Sequence, residues 1–185
     1  EASPVGELYE STAAVVGLGA IGSALVERLD AFGVETIGVR YTPEKGGSTD
    51  EVVGFDSVHS ALARADYVIL ACPLTDTTRG LIDDDALASM RTDALLVNVA
   101  RGPVVDTDAL VSALRDAEIR GATLDVTDPE PLPDDHPLWA FDSVQITPHN
   151  AGNTPKYYDR LADVLATNLG RIEAGQTDDL ENQVR

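Results

Sequence analysis

Three short segments of this 185-residue chain carry side chains suited to moving a proton beside an anion: Asn98-Val99-Ala100-Arg101-Gly102-Pro103-Val104-Val105-Asp106, Leu124-Asp125-Val126-Thr127-Asp128-Pro129-Glu130-Pro131-Leu132-Pro133, and Thr147-Pro148-His149-Asn150-Ala151-Gly152. An imidazole titrates near neutral pH, so His149 suits proton transfer. A carboxylate such as Glu130, if hydrogen-bonded to that ring, would favour the protonated imidazole and fix its orientation. Arg101 can hold a carboxylate or polarise a carbonyl without losing its own charge. Taken singly, each has a plainer alternative: a surface ion pair for the arginine, a solvated side chain for a glutamate among prolines, a structural role for a lone histidine.

A binding motif lies upstream. The run Ala13-Ala14-Val15-Val16-Gly17-Leu18-Gly19-Ala20-Ile21-Gly22 reads as a buried strand, a G-x-G-x-x-G turn and the opening of a helix. In that order Gly17 makes the tight turn, Gly19 lets the backbone approach a pyrophosphate, and Gly22 lets the helix pack closely on the strand, with phosphates at the positive helix end. The helix is expected to carry its apolar stripe on Ile21, Leu25, Leu29 and Phe32. A dinucleotide is the implied ligand. In NAD-binding members of such folds a carboxylate about 20 residues on, at the end of the second strand, bonds the adenosine ribose. Here Arg40 stands there, followed by Tyr41 and Thr42, with Lys45 close behind. A guanidinium fits a 2′-phosphate, which favours NADP(H). If Arg40 instead points into solvent, the pocket takes NAD(H) as well.

Apolar runs that alternate with helical patterns must position these groups. Ala13–Gly17, Val34–Val39, Tyr67–Ala71, Ala94–Val99, Ala122–Val126 and Val144–Ile146 read as strands, most of them buried on both faces. Helices are expected near Ala20–Phe32, Ser57–Ala65, Asp83–Ser89, Asp106–Ala117 and Thr154–Ala174, the fourth capped by Asp106 and the last striped by Tyr158, Leu161, Leu165 and Leu169. The implied fold class is α/β, a doubly wound parallel sheet of Rossmann type with helices on both faces, and its ligands belong at the carboxyl ends of the strands. Residues 1–12 read as a connecting segment, 13–174 as the dinucleotide-binding domain and 175–185 as a tail.

With these motifs in this order, the chain resembles the D-isomer-specific 2-hydroxyacid dehydrogenases over nearly its whole length, including Pro73-Leu74-Thr75, Pro137-Leu138-Trp139 and the closing Leu180-Glu181-Asn182-Gln183-Val184. The resemblance implies reversible reduction of a 2-oxoacid by hydride transfer from NAD(P)H, with Arg101, Glu130 and His149 as the catalytic trio. For the cofactor it adds Ala20 and Ile21 at the helix start, Cys72 and Pro73 beside the adenosine, Val99 and Ala100 before the arginine, Asp125 near the nicotinamide amide, and His149, Ala151 and Gly152. Cys72 also reads simply as a small apolar filler. His59 and His136 match no motif and are expected at the surface. By analogy the protein dimerises through this domain. The family places a substrate domain upstream of the glycine turn, so the chain, which begins at Glu1, is expected to be a fragment that binds cofactor without sustained turnover. A corepressor-like, dinucleotide-sensing module is the alternative, because such relatives keep the same trio.

Composition narrows the partners. The single Cys72 precludes an intrachain disulfide, no apolar run reaches membrane-spanning length, and no signal peptide or metal-ligand pattern is evident, so a cytoplasmic protein without a metal is expected. Thirty-two acidic residues against 13 Lys and Arg leave a net charge of −19, which disfavours nucleic acid and anionic membranes. Spread along the whole chain, with only Lys45 and Lys156 as lysines, this charge resembles a halophile's surface. In molar salt the Debye length falls to about 3 Å and crowded carboxylates repel little.

Overall fold

Uninterrupted apolar runs become the strands of a parallel sheet, since only a sheet covered by helices can bury both faces of Val- and Leu-rich segments. In the computed structural model, which describes residues 6–182, the strands are β1 (Thr12–Val16), β2 (Glu35–Val39), β3 (Glu51–Val53), β4 (Tyr67–Leu70), β5 (Leu95–Asn98), β6 (Gly121–Leu124) and β7 (Val144–Ile146). Residues 1–5 of the expected connecting segment, and Gln183, Val184 and Arg185 of the tail, lie outside the described residues. The seven strands are all parallel and run β3-β2-β1-β4-β5-β6-β7. The order reverses beside β1, which leaves a crevice at the carboxyl ends of β1 and β4. Six strands lie within two residues of the apolar runs. The seventh, β3, went unread because Glu51-Val52-Val53 is too short to make a run and is recruited by pairing with Ile37–Val39 at the sheet edge.

The helices are α1 (Ala20–Asp30), α2 (Val58–Leu62), α3 (Asp84–Ser89), α4 (Thr107–Arg115) and α5 (Tyr157–Glu173). Side chains alternate along β1, so Ala14 and Val16 join one core with α2, α3 and α4, while Ala13 and Val15 join another with Val26 and Leu29 of α1. Helices therefore cover both faces of the sheet. Carboxylates cap two of them: Asp83 accepts the Ala86 N–H, and Asp106 accepts those of Asp108 and Ala109, as its place before α4 suggested.

The expected stripe of α1 holds at Leu25 and Leu29, which pack into the core, and is corrected at its two ends. Ile21 and Phe32 are 64% and 60% exposed, and the buried residues of the helix are Gly22, Val26 and Leu29. Close approach at Gly22 sets which face turns inward, and Phe32 lies beyond the helix end. The residues divide by compactness into one unit up to His149 and another from Asn150 onward, the second containing α5. No residue of α5 is buried, and its stripe of Tyr158, Leu161, Leu165 and Leu169 stands 51–77% exposed. Within the second unit, Asn168 accepts the Glu181 N–H at 2.7 Å and donates to the Glu181 carbonyl at 3.1 Å, which ties the closing turn to α5.

Candidate active site

The glycine turn closes β1 as its spacing required. Gly17 has φ +102°, and a Cβ there would lie 2.6 Å from Cys72 N and Cα, so only glycine fits. A Cβ on Gly22 would lie 1.9 Å from the Gly17 carbonyl oxygen, which makes this contact the point where helix and turn meet. No atom comes within 4 Å of a Cβ placed on Gly19, so that side of the turn is open beside the first residues of α1, Ala20 and Ile21. Their N–H groups lack partners within the helix, an arrangement that suits an anion.

A cleft of about 620 Å³ lies at this crevice, lined by Gly17, Leu18, Gly19, Arg40, Tyr41, Thr42, Lys45, Phe55, Ala71, Cys72 and Pro73 and by residues 75–78. Arg40 does not simply face solvent. Its backbone N–H continues the pairing to Val53 at 3.0 Å, and its guanidinium donates to the Gly46 carbonyl, inside the loop that carries Lys45. Thr78, which sequence reasoning passed over, is 3% exposed; its hydroxyl donates to the Pro73 carbonyl at 2.6 Å and accepts the Thr75 N–H at 2.8 Å, which shapes the far wall. Cys72 is buried, and burial pushes its thiol above the ordinary range, in keeping with a filler rather than a nucleophile. The glycine turn and the open helix start together fit a dinucleotide.

The other candidate site residues stand at the neighbouring strand exits. Arg101 follows β5 by three residues, Asp125 directly follows β6, and His149 follows β7 by three, so parallel strands bring them to one edge of the sheet. His149 Nδ1 lies 2.7 Å from Glu130 Oε1, and the two side chains are 48% and 41% exposed. His149 has φ +51°, and its N–H donates to the Thr147 carbonyl at 2.9 Å, so a tight turn rather than the strand aims the ring. Thr147 also donates its hydroxyl to Asp125 Oδ1 at 2.6 Å and its N–H to the Leu124 carbonyl at 2.9 Å, tying the exits of β6 and β7 together. The loops after β5 and β6 meet where a Cβ on Gly102 would strike the Thr127 carbonyl oxygen at 1.9 Å.

Arg101 is exposed, and its guanidinium donates to the Ala100 carbonyl at 2.6 Å; among the described residues no ion pair joins it to Glu130 or His149. Val99 and Ala100 lie between β5 and this arginine and, like Asp125 and His149, do not line the 620 Å³ cleft. Ala151 and Gly152 belong to the second unit, which starts at Asn150. His136 is half-buried rather than at the surface, with Nδ1 accepting the Leu138 N–H at 3.2 Å; His59 is exposed. Sequence reasoning passed over Thr147 and Asn98 as site residues. Both sit in the quoted motifs, and the only available signal was a polar side chain at or just past the end of an apolar strand.

Among the described residues no group of three or more His, Cys, Asp or Glu is arranged to hold a metal ion, and no helix is long and apolar enough to cross a membrane.

Comparison with known proteins agrees with this geometry. Residues 1–151 match the family described as D-isomer specific 2-hydroxyacid dehydrogenase, NAD binding domain. Glyoxylate reductase of Thermofilum pendens is 41% identical over 173 residues, which cover 92% of this chain and 50% of that protein. A D-isomer specific 2-hydroxyacid dehydrogenase from Xanthobacter autotrophicus Py2, solved in complex with NADPH and MES, superposes with a TM-score of 0.84 at 39% identity, over 95% of this chain and 71% of that one. A family protein from Aeromonas salmonicida reaches 0.89 at 30% identity, over 100% and 58%. The chain spans about half the length of the curated relatives it matches. With strand order, glycine turn and residues 1–151 in agreement, the chain belongs to the D-isomer-specific 2-hydroxyacid dehydrogenase family, as its NAD-binding domain.

Proposed function

We propose that the full-length protein reduces a small 2-oxoacid to the D-2-hydroxyacid with NADPH, and that this chain supplies the cofactor site and the acid–base group. The observation that carries the reading is the 2.7 Å contact between His149 Nδ1 and Glu130 Oε1, at the strand edge that also bears Arg101. When bound, the reduced nicotinamide supplies a hydride to the carbonyl carbon. His149, held through Nδ1 by Glu130, delivers a proton from Nε2 to the carbonyl oxygen, and in the reverse direction it takes that proton back. Glu130 stabilises the charged imidazole before the proton leaves and keeps the ring in place. Arg101 holds the substrate carboxylate.

In this reading the turn from Gly17 to Gly22, with Ala20 and Ile21, carries the pyrophosphate, and Cys72 and Pro73 flank the adenosine. Val99 and Ala100 border the nicotinamide, whose amide donates to Asp125. Arg40, with Tyr41, Thr42 and Lys45, grips the 2′-phosphate, supported by its bond to the Gly46 carbonyl and by the absence of a carboxylate at that place. The Xanthobacter relative was solved with NADPH, which is compatible with that preference. Dimerisation through this domain and a cytoplasmic site of action complete the reading by analogy with the family.

The test is turnover by the full-length protein with glyoxylate and hydroxypyruvate, each with NADPH and with NADH. The reading expects NADPH oxidation matched by hydroxyacid formation, D-glycerate in the case of hydroxypyruvate. Tight NADPH binding without turnover of any small 2-oxoacid would identify a dinucleotide-sensing module instead.

A further inference from the structure

Asn98 ends β5 and is 1% exposed, a degree of burial at which a carboxamide must find partners. Its Oδ1 accepts the Ala100 N–H at 3.0 Å and its Nδ2 donates to the Arg101 carbonyl at 3.1 Å. The last bond of the strand ladder is that of Val99 N–H to the Leu70 carbonyl at 3.2 Å, so beyond Val99 the path of the chain is set by this side chain. The backbone carbonyl of Asn98 accepts the Asp125 N–H at 3.0 Å, which fixes the same residue against the exit of β6. Only asparagine offers both an acceptor and a donor at this reach: aspartate lacks the donor and glutamine is one methylene too long.

We propose that Asn98 is a positioning residue for Arg101: its carboxamide clamps the turn of residues 98–101 so that the guanidinium stands where the substrate carboxylate is held. The proposal rests on the reading of Arg101 given above. Precision at such a group matters, because a misplacement of about 1 Å in a reactant-holding residue costs on the order of 100-fold in rate. A purely structural asparagine, sealing a strand end, would alter stability without acting through Arg101.

A double-mutant cycle in the full-length protein separates these roles, with kcat/KM for glyoxylate reduction measured for the unaltered protein, Asn98→Ala, Arg101→Ala and the double variant. Asn98→Ala is expected to lower kcat/KM by roughly 10- to 100-fold, chiefly through KM. In the Arg101→Ala background the same change is expected to cost less than about threefold, since the group it positions has gone. A loss that persists at full size in that background overturns the proposal. If Arg101→Ala alone leaves kcat/KM unchanged, the reading of Arg101 fails and the proposal fails with it, whereas a normal Arg101→Ala loss beside an unaffected Asn98→Ala sinks the proposal alone. Should Asn98→Ala not fold, Asn98→Asp takes its place in the cycle, because it retains the Ala100 bond and sets a carboxylate oxygen against the Arg101 carbonyl.

Discussion

Glu130 Oε1 sits 2.7 Å from His149 Nδ1, across 19 residues of sequence and two strand exits, and that contact decides which ring nitrogen is left for a substrate. With Nδ1 engaged, Nε2 is the nitrogen able to exchange a proton with a ligand. Glu130→Gln preserves the shape of the contact and removes its charge. Loss of general-acid function costs about 10²- to 10⁴-fold; because this variant weakens the group without deleting it, its kcat/KM is expected to fall toward the lower end of that range, with NADPH affinity unchanged. Steady-state kinetics with NADPH titration check both.

Arg40 is braced by the Gly46 carbonyl and lines the same cleft as the glycine turn. Hydrogen bonds to charged groups are worth about 1.5–3 kcal/mol, a factor of roughly 10–150 in affinity. Arg40→Asp is therefore expected to weaken NADPH binding by at least about tenfold while leaving NADH binding equal or tighter. Fluorescence titration of the chain with each dinucleotide measures this, and equal affinities in the unaltered chain would remove the NADP preference.

Asp50 gives stability a defined pH dependence. Its carboxylate accepts the Thr36 N–H at 2.8 Å and the Thr36 hydroxyl at 3.1 Å, and these bonds, the backbone one foremost, hold its pKa below the ordinary value. A depressed folded-state pKa means stability that is fully present above the unfolded value of about 3.9 and is lost as pH falls through the lower folded value. Asp50→Asn removes that linkage. Urea midpoints of the variant should differ from those of the unaltered chain at neutral pH, and the difference should narrow below about pH 3.9; a constant difference would contradict the assignment.

The net charge of −19 makes ionic strength a variable of folding. Raising potassium chloride from about 0.1 M to about 1 M shortens the Debye length from about 10 Å to about 3 Å. The melting temperature should rise over that range as carboxylate repulsion is screened. A melting temperature that is flat or falls with salt would show that the acidic surface carries no such requirement.

Much of the sheet was legible because parallel strands buried on both faces write themselves as apolar runs, whereas β3 is three residues long and exists through its neighbour. The stripe of α1 holds at Leu25 and Leu29 but not at Ile21 and Phe32, and Val26 and Gly22 are buried beside it. Periodicity supplies candidate faces, but the contact of Gly22 with the Gly17 carbonyl chooses between them, and that contact is tertiary. The same division runs through the site. Arg101, Glu130 and His149 were visible as residue types in motifs, while much of what aims them is not local: Thr147 joins Asp125 to the His149 turn and Gly102 packs on Thr127, and only the bond of Asn98 to the Arg101 carbonyl, three residues on, lies within one motif. None of these pairings has a spacing that periodicity or composition could reveal.

The central claim is that His149 delivers the proton that accompanies carbonyl reduction. Its most direct test is the single-turnover rate of NADPH oxidation on mixing hydroxypyruvate with the full-length protein, compared with that of His149→Asn. The account predicts a loss of about 10²- to 10⁴-fold in that rate with NADPH binding retained; a His149→Asn protein that oxidises NADPH at the unaltered rate would contradict it.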